Sequence, residues 1–163
     1  MCVCVCRGVS RDYVPLGHAM NTVAFAVCAG HTTGVFPSMA HGFMWLLAAG
    51  CYQLLAGVVA VRRSDTYNGF YFFLHSMFWI ANGFNFCLEY LSGVAVPPLI
   101  AVVVIFFITF FFVAVASLFR EIYQFLQNIA LCLLAVAFYV DGSNGTSFAV
   151  GVGVVVVVVV CFL

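Results

Sequence analysis

The sequence predicts an all-α polytopic membrane protein, with six transmembrane helices in one bundle. Three observations predict it. Of 163 residues, 66% are hydrophobic and the mean hydropathy is +1.22. Only ten residues are Asp, Glu, Lys or Arg, and none is lysine, whereas roughly a quarter of a soluble domain is charged. The apolar stretches consume almost the whole length, which leaves no room for a separate soluble domain. Net charge is near zero and no basic patch suits nucleic acid.

The first helix is expected from Val14 to Gly34, after a tail of residues 1–13 that carries Arg7 and Arg11. Pro15 suits a first helical turn, where a missing N–H is no loss. Asn21 and Thr22 lie three and four residues beyond His18 and share its face. Gly30 and Gly34 have the GxxxG spacing that lets helices approach closely, although glycines also simply end helices. The second helix is expected over Met39–Val61, closed by Arg62 and Arg63. Its main buried polar group is Gln53, which either meets a solute or bonds a neighbouring helix.

The third helix, Thr66–Leu91, organises the rest. Asn68, His75, Asn82 and Glu89 recur every seven residues. A straight α-helix drifts only ~20° per seven residues, so the four lie along one face. At about 1.5 Å per residue the stripe runs ~30 Å, the thickness of the hydrocarbon layer. Asn85 sits beside it, and Phe72, Phe78 and Trp79 fill the flanks. Polar groups in lipid are costly and face a protein interior or a watery path. A wall of a conduit and an interhelical hydrogen-bonding seam both fit this pattern.

The prolines Pro97 and Pro98 break the chain before the fourth helix, Leu99–Phe119, the greasiest of all. Arg120 and Glu121 mark a short turn. The fifth helix, Ile122–Val140, opens with Gln124, Gln127 and Asn128 clustered on one side. A polar turn is expected over Asp141–Thr146. The sixth helix, Ser147–Leu163, is valine-rich and just reaches the ~17 residues needed to cross, so truncation is open for it.

All five arginines fall in the tail, between helices two and three, and between helices four and five. The positive-inside rule then places both termini in the cytoplasm, with the plasma membrane as the expected location. Asn144-Gly-Thr146 is a glycosylation sequon on the expected outer side. No basic n-region with an apolar core and cleavage site opens the chain, so no secretory signal is expected. Cys2, Cys4 and Cys6 read either as an acylation or metal site or as a repetitive end. The other five cysteines are scattered singly in apolar segments, where cysteine acts as a small hydrophobe.

Enzyme chemistry is not legible. No Ser/His/Asp or Cys/His arrangement stands out, and no glycine loop precedes a helix for phosphate. His18, His31, His41 and His75 lack the spacing of a metal helix such as HExxH, so no metal or other cofactor is implied.

Several segments resemble the acetate uptake transporters, the succinate–acetate permease family. Asp12-Tyr13-Val14-Pro15-Leu16-Gly17 is similar to the family's NPAPLGL opening, with His31 and Gly34 at the spacing of its HxxG ending. Gln53-Leu54-Leu55-Ala56-Gly57 looks like its AQxxAG segment. Asp65-Thr66-Tyr67, Phe72, Phe78 and Trp79 resemble its NTFGxxxFxSYGxFW block. The likeness covers about Val14–Val140. It departs at the missing first Asn-Pro and at Asn68, where the family has glycine and this chain has Gly69 one place later. By ungapped matching, the family's apolar constriction falls on Asn21, His75 and a position near Ala130, which would make it more polar here.

The resemblance implies a homo-oligomer that takes up small carboxylates such as acetate or succinate together with protons, as a channel or a symporter. Asn21, Gln53, Asn68, Phe72, His75, Trp79, Asn82 and Asn85 are the expected path residues. His75 and Glu89 are candidate proton sites, with a snorkelling surface carboxylate as the other reading of Glu89. A bare carboxylate in a low-dielectric path is costly unless paired, and amide or imidazole donors reduce that cost. Two other functions stay open: a non-transporting scaffold or sensor, and a channel for another small solute such as ammonia or water.

Overall fold

The computed structural model describes residues 13–32, 35, 42–93, 100–118 and 122–144. These hold five α-helices: α1 (Tyr13–Thr32), α2 (Phe43–Arg62), α3 (Thr66–Ser92), α4 (Ile100–Leu118) and α5 (Ile122–Asn144). No strand occurs among the described residues, as the all-α expectation requires. The expected sixth helix, residues 147–163, lies outside them, as do Gly34, His41 and the cysteines at positions 2, 4 and 6.

Local chemistry sets the helix ends. The Gly42 carbonyl accepts from the amides of Trp45 and Leu46, which opens α2. Ser64 adopts a left-handed φ of 59° after α2, and the Asp65 amide returns to the Ala60 carbonyl at 2.9 Å. This is the wrapped ending that satisfies the last carbonyls of a helix. Asp65 then caps α3 by accepting from the Asn68 amide at 3.3 Å. Gly93, with φ 66°, closes α3 through its amide to the Glu89 carbonyl. α5 continues four residues past the expected end at Val140, so Asp141–Asn144 is helix and not turn. Once a helix is nucleated, each further residue adds a hydrogen bond, and this outweighs the weak propensity of Gly, Ser and Asn.

α3 is the centre of the bundle. It packs along α2 so closely that small residues are required between them. A Cβ on Gly50 would lie 3.1 Å from both the Ile80 amide and the Ser76 carbonyl, and one on Gly69 would lie 2.6 Å from Val61. Gly69, Ser76 and Gly83 are themselves seven residues apart, one place along from the polar stripe. On its other sides α3 meets α4 through aromatic rings and α1 and α5 through polar groups.

Two helices are long and apolar enough to cross a membrane: Phe43–Arg62, with mean hydropathy 1.8, and Ala101–Leu118, with 2.9. The expectation of six such helices reduces to these two among the described residues. α1 and α3 have comparable length, but their buried amides and histidines lower their hydropathy. α4 exposes a broad apolar surface that includes Ile105, Ile108, Phe112 and Val115, and turns Phe110, Ala114 and Ser117 inward.

Candidate functional site

The site is built on the N-terminal half of α3. Asn68, Tyr71, Phe72, His75 and Trp79 are all buried there. Their spacing of three and four residues places them on the side of α3 that meets α1, α4 and α5. His75 is completely buried. Its Nδ1 lies 2.7 Å from the Tyr71 carbonyl. A carbonyl only accepts, so Nδ1 carries the proton in the neutral ring and Nε2 presents a lone pair. That Nε2 is buried and has no hydrogen-bond partner. The ring is held between Tyr71, 4.0 Å between centroids, and Phe110, 5.3 Å.

Tyr71 links three helices. Its hydroxyl donates to Gln127 Oε1 of α5 at 2.5 Å, and the same oxygen accepts from His18 Nδ1 of α1 at 3.2 Å. The His18 ring also sits 5.4 Å from the rings of Tyr71 and Phe72. On the α4 side, the Tyr67 hydroxyl meets Ser117 Oγ at 2.7 Å, and Asn128 Nδ2 reaches that oxygen at 3.4 Å. Gln124 Nε2 reaches Asn68 Oδ1 at 3.5 Å. At the entry to α3, Asp65 Oδ2 accepts from Tyr13 and from Asn68 Nδ2, both at 2.8 Å, and the Arg63 guanidinium lies 5.3 Å above the Tyr13 ring. The polar layer therefore draws on every described helix but α2.

α2 contributes one turn further along α3. Trp79 Nε1 donates to Asn21 Oδ1 at 2.8 Å. Gln53 Nε2 donates to the same oxygen and, at 3.3 Å, to the Gly17 carbonyl. Asn21, Gln53 and Trp79 are all fully buried. Beyond them the interior turns aromatic. Phe78 meets Trp79, Phe106 and Phe110 edge-on, with centroids 5.0 to 5.3 Å apart, and Phe25 meets Trp79 at 5.3 Å.

The four-residue stripe and the neighbouring Asn85 thus span two environments. Asn68 and His75 are in the interior, whereas Asn82, Asn85 and Glu89 are half-buried. Asn82 Nδ2 donates to the Phe78 carbonyl of its own helix at 2.8 Å. α1 and α2 still accompany α3 at this level, through His31 against Phe86 and Phe43 against Tyr90.

The motif positions divide in the same way. Pro15, Leu16 and Thr66 are exposed. Gly17 is buried beneath the Phe72 ring. His31 is half-buried, its ring 6.2 Å from Phe86 and its Nδ1 without a partner. Ala130 is buried on α5, while Asn21 joins α3 at Trp79, one turn past His75. Tyr71 was not singled out by the sequence, although it stands three residues after Asn68 and four before His75. That spacing was the available signal. Among the described residues no three His, Cys, Asp or Glu side chains converge as metal ligands would.

In comparison with known proteins, no family model, curated protein or solved structure matches this chain.

Proposed function

We propose that the protein is a multi-pass membrane protein that passes small carboxylic acids such as acetate or succinate, as a channel or in symport with protons. The observation that carries this reading is the buried His75, whose Nε2 lone pair has no protein partner. An unmatched buried polar atom costs roughly 1–3 kcal/mol. Asn21 Nδ2, Gln53 Oε1 and Asn128 Oδ1 are buried and unmatched as well. Several such atoms in one half of a small bundle favour an interior that receives a polar occupant. The two membrane-long helices and the exposed apolar face of α4 support a bilayer as its surroundings.

In this reading the path enters by the Asp65 end, passes His75 and Asn21, and crosses the aromatic layer of Phe25, Phe78 and Trp79 toward Asn82, Asn85 and Glu89. His75 accepts a proton or the acid's O–H at Nε2, and Glu89 serves the outer mouth. Both termini lie in the cytoplasm, the location is the plasma membrane, and the resemblance of the motif segments supports a homo-oligomer. The second reading, a non-transporting scaffold, is favoured by Gln127, whose oxygen is tied to both Tyr71 and His18 across three helices.

Uptake of labelled succinate by vesicles containing the protein tests the proposal. The expected result is uptake above that of empty vesicles, competed by acetate, and lost on His75→Ala with the variant still folded. Uptake equal to empty vesicles would rule the transport reading out and leave the scaffold. Uptake that acetate does not compete would point to another solute.

A further inference from the structure

The orientation of two carboxamides in this interior is fixed by a third side chain. An indole N–H only donates, so the Asn21 atom 2.8 Å from Trp79 Nε1 is the oxygen. Gln53 faces that same oxygen, and must do so with its Nε2. The Gly17 carbonyl at 3.3 Å, also an acceptor only, demands the same orientation. Turning either amide over would set donor against donor or acceptor against acceptor. What remains is one hydrogen-bond donor, Asn21 Nδ2, and one acceptor, Gln53 Oε1. Both are buried without a partner, on side chains with no solvent exposure.

We propose that Asn21 Nδ2 and Gln53 Oε1 form a subsite that takes the acid in its neutral, protonated form. The subsite rests on the transport reading for the identity of its ligand. A neutral carboxylic acid offers a carbonyl oxygen to the donor and an O–H to the acceptor. A carboxylate offers acceptors alone, and would set an anionic oxygen against Gln53 Oε1. No arginine or lysine stands among the partners of Asn21 and Gln53 to compensate that repulsion; they are Trp79 and the Gly17 carbonyl. A primary amide such as acetamide carries the same pair of groups, an N–H donor and a carbonyl, at fixed charge.

The structure supplies a reporter for this subsite. The chain has two tryptophans, Trp79, bonded to Asn21, and Trp45, 57% exposed on α2. Trp45→Phe leaves Trp79 as the sole indole. The full chain carrying this substitution, in lipid nanodiscs, is titrated with acetamide, acetate and N,N-dimethylacetamide while indole emission is followed. Acetamide is expected to shift the emission saturably, and N,N-dimethylacetamide, which has no donor, is not. For acetate the half-saturating total concentration is expected to rise about tenfold per pH unit above the carboxyl pKa, because only the neutral fraction binds. The titratable side chains closest along the chain are His18, three residues from Asn21, His75, four from Trp79, and Cys51 and Tyr52, which precede Gln53 and are exposed. The acetamide series over the same pH range separates any effect of theirs from that of the ligand.

Half-saturation by total acetate that does not change with pH would overturn the proposal, as would equal binding of N,N-dimethylacetamide or no response to acetamide. Gln53→Met, which removes the acceptor at similar volume, is expected to abolish the acetamide response, and an unchanged response would also overturn it. The transport reading fails separately: vesicles without uptake, together with an intact Trp79 response, would leave the subsite standing and remove its role in flux.

Discussion

Gly17 of α1 and Phe72 of α3 share one space: a Cβ added to Gly17 would fall 2.2 Å from Phe72 Cε1 and 2.5 Å from Cζ. Both residues are buried, and the His18 ring next to Gly17 rests against the same phenyl ring at 5.4 Å. The position is a glycine because a ring passes over its backbone.

Gly17→Ala is therefore expected to destabilise the bundle by about 1–3 kcal/mol, the usual cost of overpacking a filled interior. Thermal unfolding in detergent reads the loss. Phe72→Leu in the same chain should recover part of it, since the smaller side chain yields the space. An alanine variant as stable as the parent would show that the two helices do not approach as described.

A second consequence concerns Asp65. Its carboxylate caps α3 at the Asn68 amide and ties α1 through the Tyr13 hydroxyl. Asp65→Ala is expected to cost about 1–2 kcal/mol for the cap. Tyr13→Phe should cost about 0.5–1.5 kcal/mol for one hydrogen bond. The double variant should lose less than the sum, because both changes remove the same contact. Additive losses in a double-mutant cycle would argue against the Tyr13–Asp65 bond.

The tie between α3 and α5 can be tested in the same way. Gln127→Leu leaves the Tyr71 hydroxyl and His18 Nδ1 without their shared acceptor. An orphaned buried donor costs roughly 1–3 kcal/mol. Tyr71→Phe combined with Gln127→Leu should be less harmful than Gln127→Leu alone, because it removes the hydroxyl whose Gln127 acceptor is lost. Chemical unfolding of the two variants gives the comparison, and a double variant worse than the single would contradict it.

Two glycines of α2 and α3 should behave differently from a third at the end of α3. Gly50 faces backbone atoms of Ser76 and Ile80, and Gly69 faces Val61, so alanine at either pushes the helices apart. Gly93 has open space around it but a φ of 66°, so alanine there pays only the left-handed backbone penalty, roughly 1 kcal/mol. Gly50→Ala is expected to lower the unfolding temperature more than Gly93→Ala, and the reverse order would mean that α2 and α3 are not in backbone contact.

Much of this was legible in the residues. The helices α1, α3 and α4 begin and end within two residues of the expected points, because Pro15, Asp65, and the Pro97-Pro98 and Arg120-Glu121 pairs are local signals in the sequence. Gln53, Asn21 and His75 were recognisable as polar groups out of place in apolar helices, and all three are buried. The end of α5 was not legible, since its Asp-Gly-Ser-Asn composition is that of a turn and the helix runs through it. Nor was the role of Tyr71: its spacing from Asn68 and His75 places it on their side of α3, but only the position of Gln127 on α5 gives its hydroxyl that partner.

The sequence by itself determined that the chain is helical, that α2 and α4 are long and apolar enough to cross a membrane, and that α3 carries a polar stripe at heptad intervals. These follow from composition and periodicity, which act within one element. Tertiary structure alone decided that the stripe is buried at Asn68 and His75 and half-exposed from Asn82 onward. It also decided which atoms of Asn21, Gln53 and His75 are left unmatched. Hydrogen-bond satisfaction depends on which donors and acceptors other helices bring, and no pattern within a single helix contains that information.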